Sequence, residues 1–390
     1  MFLNKIDKRI LKVNSQSVGG KVSCLVYANN YVLAKKYLEK NVCKNMIEYP
    51  FIKAFGIRAD VQKIETMAQK SQIKYISSVT KVFAQMDKTR EIMNINKAQK
   101  TLSGKGVTVA VIDTGLCENL DFCSFDNRLL CFKDFVNHKT TAYDDNGHGT
   151  FVTGCICGNG FMSGKKYRGV APEANIVMCK ALDSNGETGA LTILEAMQWI
   201  YDNKQKYNIR VVCMSFGSQP LQSGDPLMLG AEALWNSGIV VVAAAGNSGP
   251  SAETIKSPGT SGKIITVGAL DDGREDGNTN FKNYKVAQFS SRGPAYPYYK
   301  PDCIACGVDI ISTTCKNLDF YTKMSGTSVA TPIIAGSCAL LLEKEPNLSP
   351  FAVKNKLTKC CKAISGNRND EGFGILDVEK FCRWYKHLYF

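Results

Sequence analysis

The chain of 390 residues is 44% hydrophobic and 21% charged, which supplies apolar material for a folded core and excludes a disordered chain. Its richest apolar runs, 238–245 and 333–342, fall short of the roughly 18 residues a membrane-spanning helix needs, so no membrane partner is expected. Formal net charge is +13, and residues 1–95 hold most of it with 17 Lys/Arg against 7 Asp/Glu; that basic segment lacks a stripe interleaved with aromatics, so nucleic acid is not the expected partner.

In chain order, Met1–Leu11 mixes Lys5, Asp7, Lys8 and Arg9 among its apolar residues, lacks the apolar core of a secretory leader, and points to a cytoplasmic protein. Strand-like 22–28, helical 32–41, strand-like 52–57, helical 60–70 and strand-like 73–79 give two strand–helix repeats, the pattern of a small α+β domain. Helical spacing over 87–100 and the turn Ser103-Gly104-Lys105-Gly106 mark a change of character, which places the domains at 1–95 and 96–390. Beyond it lie Val- and Ile-rich, near-continuous apolar runs at 107–113, 176–182, 211–216, 239–245 and 264–267, as strands of a parallel sheet covered on both faces show. Helical stretches at 191–208, 226–237, 328–345 and 350–363 alternate with them, the last opened by a capping Ser349 and Pro350. The expected fold class is α/β, a doubly wound and mostly parallel sheet with a small N-terminal α+β domain, and sites in such sheets form at the carboxyl ends of strands.

Sixteen cysteines are spread along the chain, many inside apolar runs (Cys179, Cys213, Cys338), as reduced buried thiols in a reducing compartment would be. Cys155/Cys157 and the Cys-x-x-Cys pair Cys303/Cys306 have metal-ligand spacing, but no second pair or histidine cluster accompanies them, so no metal is expected there.

Four motifs carry chemistry. Val109–Gly115 is an apolar strand ending in Asp113 and turning at glycine; alone, such an aspartate is commonly a cap or turn residue. Asp145-Asn146-Gly147-His148-Gly149-Thr150 sets a histidine between glycines before a helical stretch, letting backbone or substrate approach closely, a setting that His138 and His387 lack. Met324–Pro332 is a glycine-containing turn that delivers Ser328 to a helix start, where it is either an N-cap or, beside a base, a nucleophile. Val240–Gly249 is a buried strand whose end presents Asn247, a turn residue or a donor to the oxygen that becomes negative in acyl transfer.

Together, in the chain order Asp, His, Asn, Ser, these motifs resemble the subtilases, serine endopeptidases whose acid–base–nucleophile order differs from the chymotrypsin and α/β-hydrolase families. The resemblance runs from Gly104 to about Val378 through Tyr167–Ala174, Met214-Ser215-Phe216-Gly217, Ser257-Pro258-Gly259 and Phe289–Pro294, and Thr101–Gly115 and Asp144–Gly149 look like the signal-less intracellular branch called AprX-like. It implies hydrolysis of peptide or protein substrates by Ser328, His148 and Asp113 through an acyl-enzyme, with Asn247 in the oxyanion hole and no catalytic cofactor. It further implies that Ser215, Phe216 and Gly217 form one wall of the primary specificity pocket and Ala244, Ala245 and Gly246 the other, suiting an apolar side chain before the cut. Gly189 is placed by it on an edge strand pairing with extended substrate. Phe151, Val329 and Cys306 depart from the family pattern, standing where a second histidine, a methionine and a proline are usual, and none removes a reacting atom. Asp121 sits where many relatives place a calcium ligand, so calcium is the one metal in question, although Asn159–Lys166 is not clearly an oxygen-rich partner loop. Residues 1–95 resemble, by pattern and position, the propeptide that assists folding and then inhibits the enzyme; on that reading Ser78–Met86 lies along the cleft and self-cleavage falls near Gln85–Lys88. The competing readings are a non-catalytic peptide clamp on the same fold and a basic nucleic-acid module at the N-terminus.

Overall fold

A computed structural model describes residues 5–6, 10, 22–42, 46–50, 53–78, 85–124, 126–274, 280–315 and 320–383. The expected cleft segment Ser78–Met86 lies for the most part outside these residues, as does 384–390, most of the C-terminal run Phe381–Phe390 with its Trp384, Tyr385, Tyr389 and Phe390. Two units make up the chain, Met1–Val82 and Phe83–Phe390.

In the first unit, strands β1 (Val22–Ala28), β2 (Ile47–Tyr49), β3 (Ala54–Ala59) and β4 (Ile73–Ser78) form an antiparallel sheet in the order β2-β3-β1-β4. Helix α1 (Tyr31–Asn41) is capped by Asn30, whose side chain accepts from Leu33 N–H, and α2 (Val61–Ala68) by Asp60 through Lys63 N–H. Ala34 and Leu38 of α1 and Ile64 and Met67 of α2 pack with Val26, Phe55, Ile57 and Ile76 of the strands in one apolar core. Strand β2 was not legible in the sequence, because three residues are too few to display an alternation.

The second unit starts earlier than the expected boundary at 95/96. Helix α3 (Gln85–Ile92) and a short helix over Ile95–Ala98 belong to it, because Met93 and Ile95 are buried in its core and Arg274 Nη2 donates to Thr89 Oγ1 at 3.0 Å. Asn94, at φ 56°, breaks the single helix that the spacing over 87–100 suggested.

The parallel strands of its ten-stranded sheet include β5 (Thr108–Asp113), β6 (Leu129–Asp134), β7 (Asn175–Lys180), β8 (Ile209–Met214), β9 (Val240–Ala244), β10 (Ile265–Asp271) and β11 (Cys303–Cys306), lying in the order β6-β7-β5-β8-β9-β10-β11. All neighbours in that series are parallel. The chain crosses to one side of β5 for β6 and β7 and to the other for β8 onward, so the topological switch lies at the carboxyl end of β5. Every residue of β5 and β9 is buried, as runs without polar alternation require.

Helices α4 (His148–Cys157), α5 (Ala190–Asn203), α6 (Pro226–Asn236), α7 (Thr327–Lys344) and α8 (Pro350–Lys359) cover the sheet. From Val329 to Leu342 every residue of α7 is buried, which makes it a central helix rather than an amphipathic one. It packs on α4 and on β8, β9 and β10. A hairpin of β12 (Ile310–Thr313) and β13 (Tyr321–Met324) runs directly into the turn before α7. Its first strand grips α4: Ser312 Oγ donates to Phe151 O and Thr313 Oγ1 to Thr150 O, both at 2.8 Å. The hairpin thus couples the histidine helix to the serine helix.

The cysteines among the described residues are free thiols, ten of them buried. Burial pushes Cys24, Cys155 and Cys382 up to about 12 and raises Cys213 and Cys338 as well. Among the described residues no group of three or more His, Cys, Asp or Glu side chains is placed to hold a metal ion, and no helix is long and apolar enough to cross a membrane.

Candidate active site

Asp113 ends β5 at the switch point and is fully buried. Its Oδ1 accepts from Thr114 N–H at 2.8 Å and lies 2.8 Å from His148 Nδ1. That contact fixes the imidazole with Nε2 as its free nitrogen. His148 is the first residue of α4, and a Cβ on the next residue, Gly149, would lie 2.3 Å from Gly115 O, so only glycine lets the helix approach the β5 turn this closely. Burial lowers the affinity of the imidazole for a proton, but the adjacent Asp113 carboxylate, aided by Asp144, outweighs it and holds His148 above its ordinary value of 6.5.

Two residues that sequence reading gave no role hold this half of the site. Asp144 Oδ1 accepts from Gly147 N–H at 2.7 Å, Asn146 N–H at 3.1 Å and Thr114 Oγ1 at 2.9 Å, while Oδ2 accepts from Thr150 N–H at 2.9 Å and Thr150 Oγ1 at 2.7 Å. These five bonds keep its carboxyl below the usual range despite burial. Lys180, fully buried at the end of β7, donates to Thr114 O at 2.6 Å, Asp145 Oδ1 at 2.7 Å and Leu182 O at 2.9 Å. The available signal was a lone cation at the end of an apolar run.

Ser328 follows Thr327 at the start of α7 and is half-buried. Asn247 follows β9, and its Oδ1 accepts from Thr327 N–H at 2.9 Å and Thr327 Oγ1 at 3.0 Å. With its carbonyl so engaged, the amide turns its NH₂ outward. Thr327 Oγ1 also accepts from Gly246 N–H at 3.2 Å, a tether that sequence reading missed. The point where a Cβ of Gly326 would stand is 3.0 Å from Ser328 Oγ, 3.5 Å from Asn247 Nδ2 and 3.7 Å from Ser328 N. A hydroxyl, an amide NH₂ and a helix-start N–H free of intrahelical partners therefore converge on one small volume. Among the described residues Ser328 Oγ has no hydrogen-bond partner, and the bond to His148 is not made in this structure; such contacts commonly tighten only around substrate.

Ser215, Phe216 and Gly217 follow β8, and Ala244, Ala245 and Gly246 end β9 and turn. Residues 256–257 join the two segments: Lys256 N–H donates to Ala245 O at 2.9 Å, and Ser218 and Ser257 exchange backbone bonds of 2.9 and 3.0 Å. Gly189 is not on an edge strand. It has extended dihedrals (φ −82°, ψ 154°) before α5, where the chain has already left the sheet, and it is exposed. Phe151, Val329 and Cys306, the three departures from the family pattern, are core residues with almost no exposure.

The residues around Asp121 do not fit calcium. Its Oδ1 accepts from Met162 N–H at 3.0 Å and its Oδ2 from Gly160 N–H at 3.2 Å and Tyr321 Oη at 2.8 Å. In the neighbouring loop the carbonyls of Lys165 and Lys166 accept from Arg90 at 3.3 and 3.1 Å, and Arg128 donates to the carbonyl of Asp121 itself. Both carboxylate oxygens face donors, and a guanidinium already supplies positive charge.

The family model described as Subtilase family matches residues 104–375. Serine protease AprX of Bacillus subtilis (strain 168) is 41% identical over 315 residues, 75% of this chain and 70% of that protein. Subtilisin DY of Bacillus licheniformis is 34% identical over 278 residues, 71% of this chain and 90% of its own. Among solved structures, Sphericase superposes with a TM-score of 0.63 at 28% identity, covering 74% of this chain and 97% of that one.

Proposed function

The chain belongs to the subtilase family of serine proteases, and from that premise we propose that it is an endopeptidase working through Ser328, His148 and Asp113. His148 Nε2 takes the proton of Ser328 Oγ as the oxygen attacks the scissile carbonyl, and Asp113 stabilises the imidazolium that results. Asn247 Nδ2 and Ser328 N–H hold the oxyanion. Collapse of the tetrahedral intermediate passes the proton from Nε2 to the leaving amine, and water repeats the cycle on the acyl-enzyme. The observation that carries this reading is the 2.8 Å Asp113–His148 contact at the switch point, with the serine hydroxyl and two N–H donors converging at the start of the helix packed on α4. Ser215–Gly217 and Ala244–Gly246 are read as the walls of the pocket for the side chain before the cut, and Gly189 as a contact for extended substrate.

The propeptide-like segment 1–95, cut near Gln85–Lys88, is read as an intramolecular inhibitor and folding assistant removed by self-cleavage, and the protein as one that acts inside the cell. One experiment tests catalysis and processing together. Wild type is expected to hydrolyse a denatured protein, react with a fluorophosphonate at Ser328 and lose its N-terminal segment by intact mass, while Ser328→Ala does none of these. Equal turnover in the two proteins refutes the catalytic assignment, and equal masses refute self-cleavage.

A further inference from the structure

Each of the segments read as a pocket wall carries a glycine that faces the same side chain. A Cβ on Gly217 would lie 2.6 Å from Lys256 Cβ, and one on Gly246, itself at φ +104°, would lie 2.4 Å from Lys256 Cγ. Both separations are well inside van der Waals contact, so the stem of Lys256 occupies the room that a larger residue on either wall would claim. The backbone fixes it there through the Lys256 N–H to Ala245 O bond on one side and the Ser218–Ser257 pairing on the other. Lys256 therefore closes the gap between the walls.

Its charge is unmatched. Among the described residues the Lys256 ammonium has neither a hydrogen-bond acceptor nor a carboxylate partner. Among the described residues the lysines buried in this unit are paired, Lys180 with Asp145 and Lys300 with Asp302, and the partly buried Lys354 also pairs with Asp302. A partly buried cation without a partner is unfavourable by itself and rewards any ligand that brings an anion to it. The flexible four-carbon stem lies along the apolar walls while the head keeps its freedom to turn toward such a ligand.

We propose that Lys256 sets the specificity of the enzyme, and that cleavage follows acidic residues, Glu or Asp, whose carboxylate meets the ammonium between Gly217 and Gly246. The proposal rests on the reading of 215–217 and 244–246 as pocket walls, and it replaces the apolar preference those walls suggest when taken without residue 256.

The test is a series of peptides differing only in the residue before the cut (Glu, Gln, Asp, Leu, Phe or Lys), assayed with wild type, Lys256→Met and Lys256→Arg. Met keeps the stem and removes the charge; Arg keeps the charge. Wild type is expected to prefer Glu over Gln by roughly 10- to 100-fold in kcat/KM, Lys256→Met to bring that ratio close to one, and Lys256→Arg to retain it. Fluorophosphonate labelling of the same preparations separates the two readings. Labelled wild type that favours Leu or Phe, or a Glu/Gln ratio that Lys256→Met leaves unchanged, overturns the role of Lys256 alone. Wild type that is neither labelled nor active overturns the protease reading and this proposal with it. Should Lys256→Met fail to fold, Lys256→Gln supplies the neutral comparison.

Discussion

Replacing Thr327 by valine isolates one tether of the proposed oxyanion site. Thr327 is 1% exposed, and valine keeps its volume, but its Oγ1 both donates to Asn247 Oδ1 at 3.0 Å and accepts from Gly246 N–H at 3.2 Å. Asn247 retains the Thr327 N–H bond at 2.9 Å, so the amide is loosened rather than released. A net hydrogen bond of this kind contributes about 1 kcal/mol, which corresponds to roughly a fivefold loss of kcat if all of it acts on the orientation of the amide. Removing the donor outright with Asn247→Ala is expected to cost roughly 100- to 1000-fold. If Thr327 Oγ1 acts through Asn247, adding Thr327→Val to Asn247→Ala leaves kcat where it was, a coupling of about 1 kcal/mol. The assay is kcat and KM on one peptide anilide for the four proteins, with urea unfolding as a control for stability. A fivefold loss that persists on the Asn247→Ala background, or one confined to KM, refutes the tether.

The remaining predictions concern pH and calcium. Because the proposed mechanism needs His148 neutral and Asp113 holds it above 6.5, kcat/KM is expected to rise with pH through a value above 6.5. The same raised value stabilises the folded state below about 6.5 and is lost as pH climbs through it, so activity and unfolding free energy should slope in opposite directions over that window. Asp113→Asn is expected to cut kcat by about four orders of magnitude and to move the midpoint downward; a midpoint that does not move argues against Asp113 as its cause. Neither millimolar calcium nor a chelator should shift the Tm by more than about 1 °C, since Asp121 is already satisfied by Gly160, Met162 and Tyr321. A rise of several degrees with calcium would falsify that account.

Sequence pattern was informative where one physical constraint acts on consecutive residues. Strands buried on both faces are near-continuous apolar runs without alternation, and so β5, β7, β8, β9 and β10 were legible to within a few residues. The half-exposed edge strand β6, Leu129–Asp134, mixes apolar and charged residues without alternation, and β11 has four residues after a proline, so neither leaves a periodic trace. The motifs containing Asp113, His148, Asn247 and Ser328 were legible because each joins a reactive side chain to a glycine-bearing turn at the edge of a regular element. What holds them was not. Asp144, Lys180 and Thr327 act through partners 2 to 81 residues away, and only folding brings Lys256 against glycines 217 and 246. The unit boundary lies before the expected 95/96 for a similar reason, since the helical stretch that marked a change of character is claimed by the core through Met93 and Ile95.

The buried thiols have a use that involves neither catalysis nor redox chemistry. A sulfhydryl with no access to solvent and a depressed tendency to ionise meets an alkylating reagent only while the surrounding chain is open. Cys24 lies in the core of the first unit and Cys213 in the sheet of the second. Their rates of modification, followed side by side in the intact polypeptide, would time the opening of each unit separately without any engineered probe.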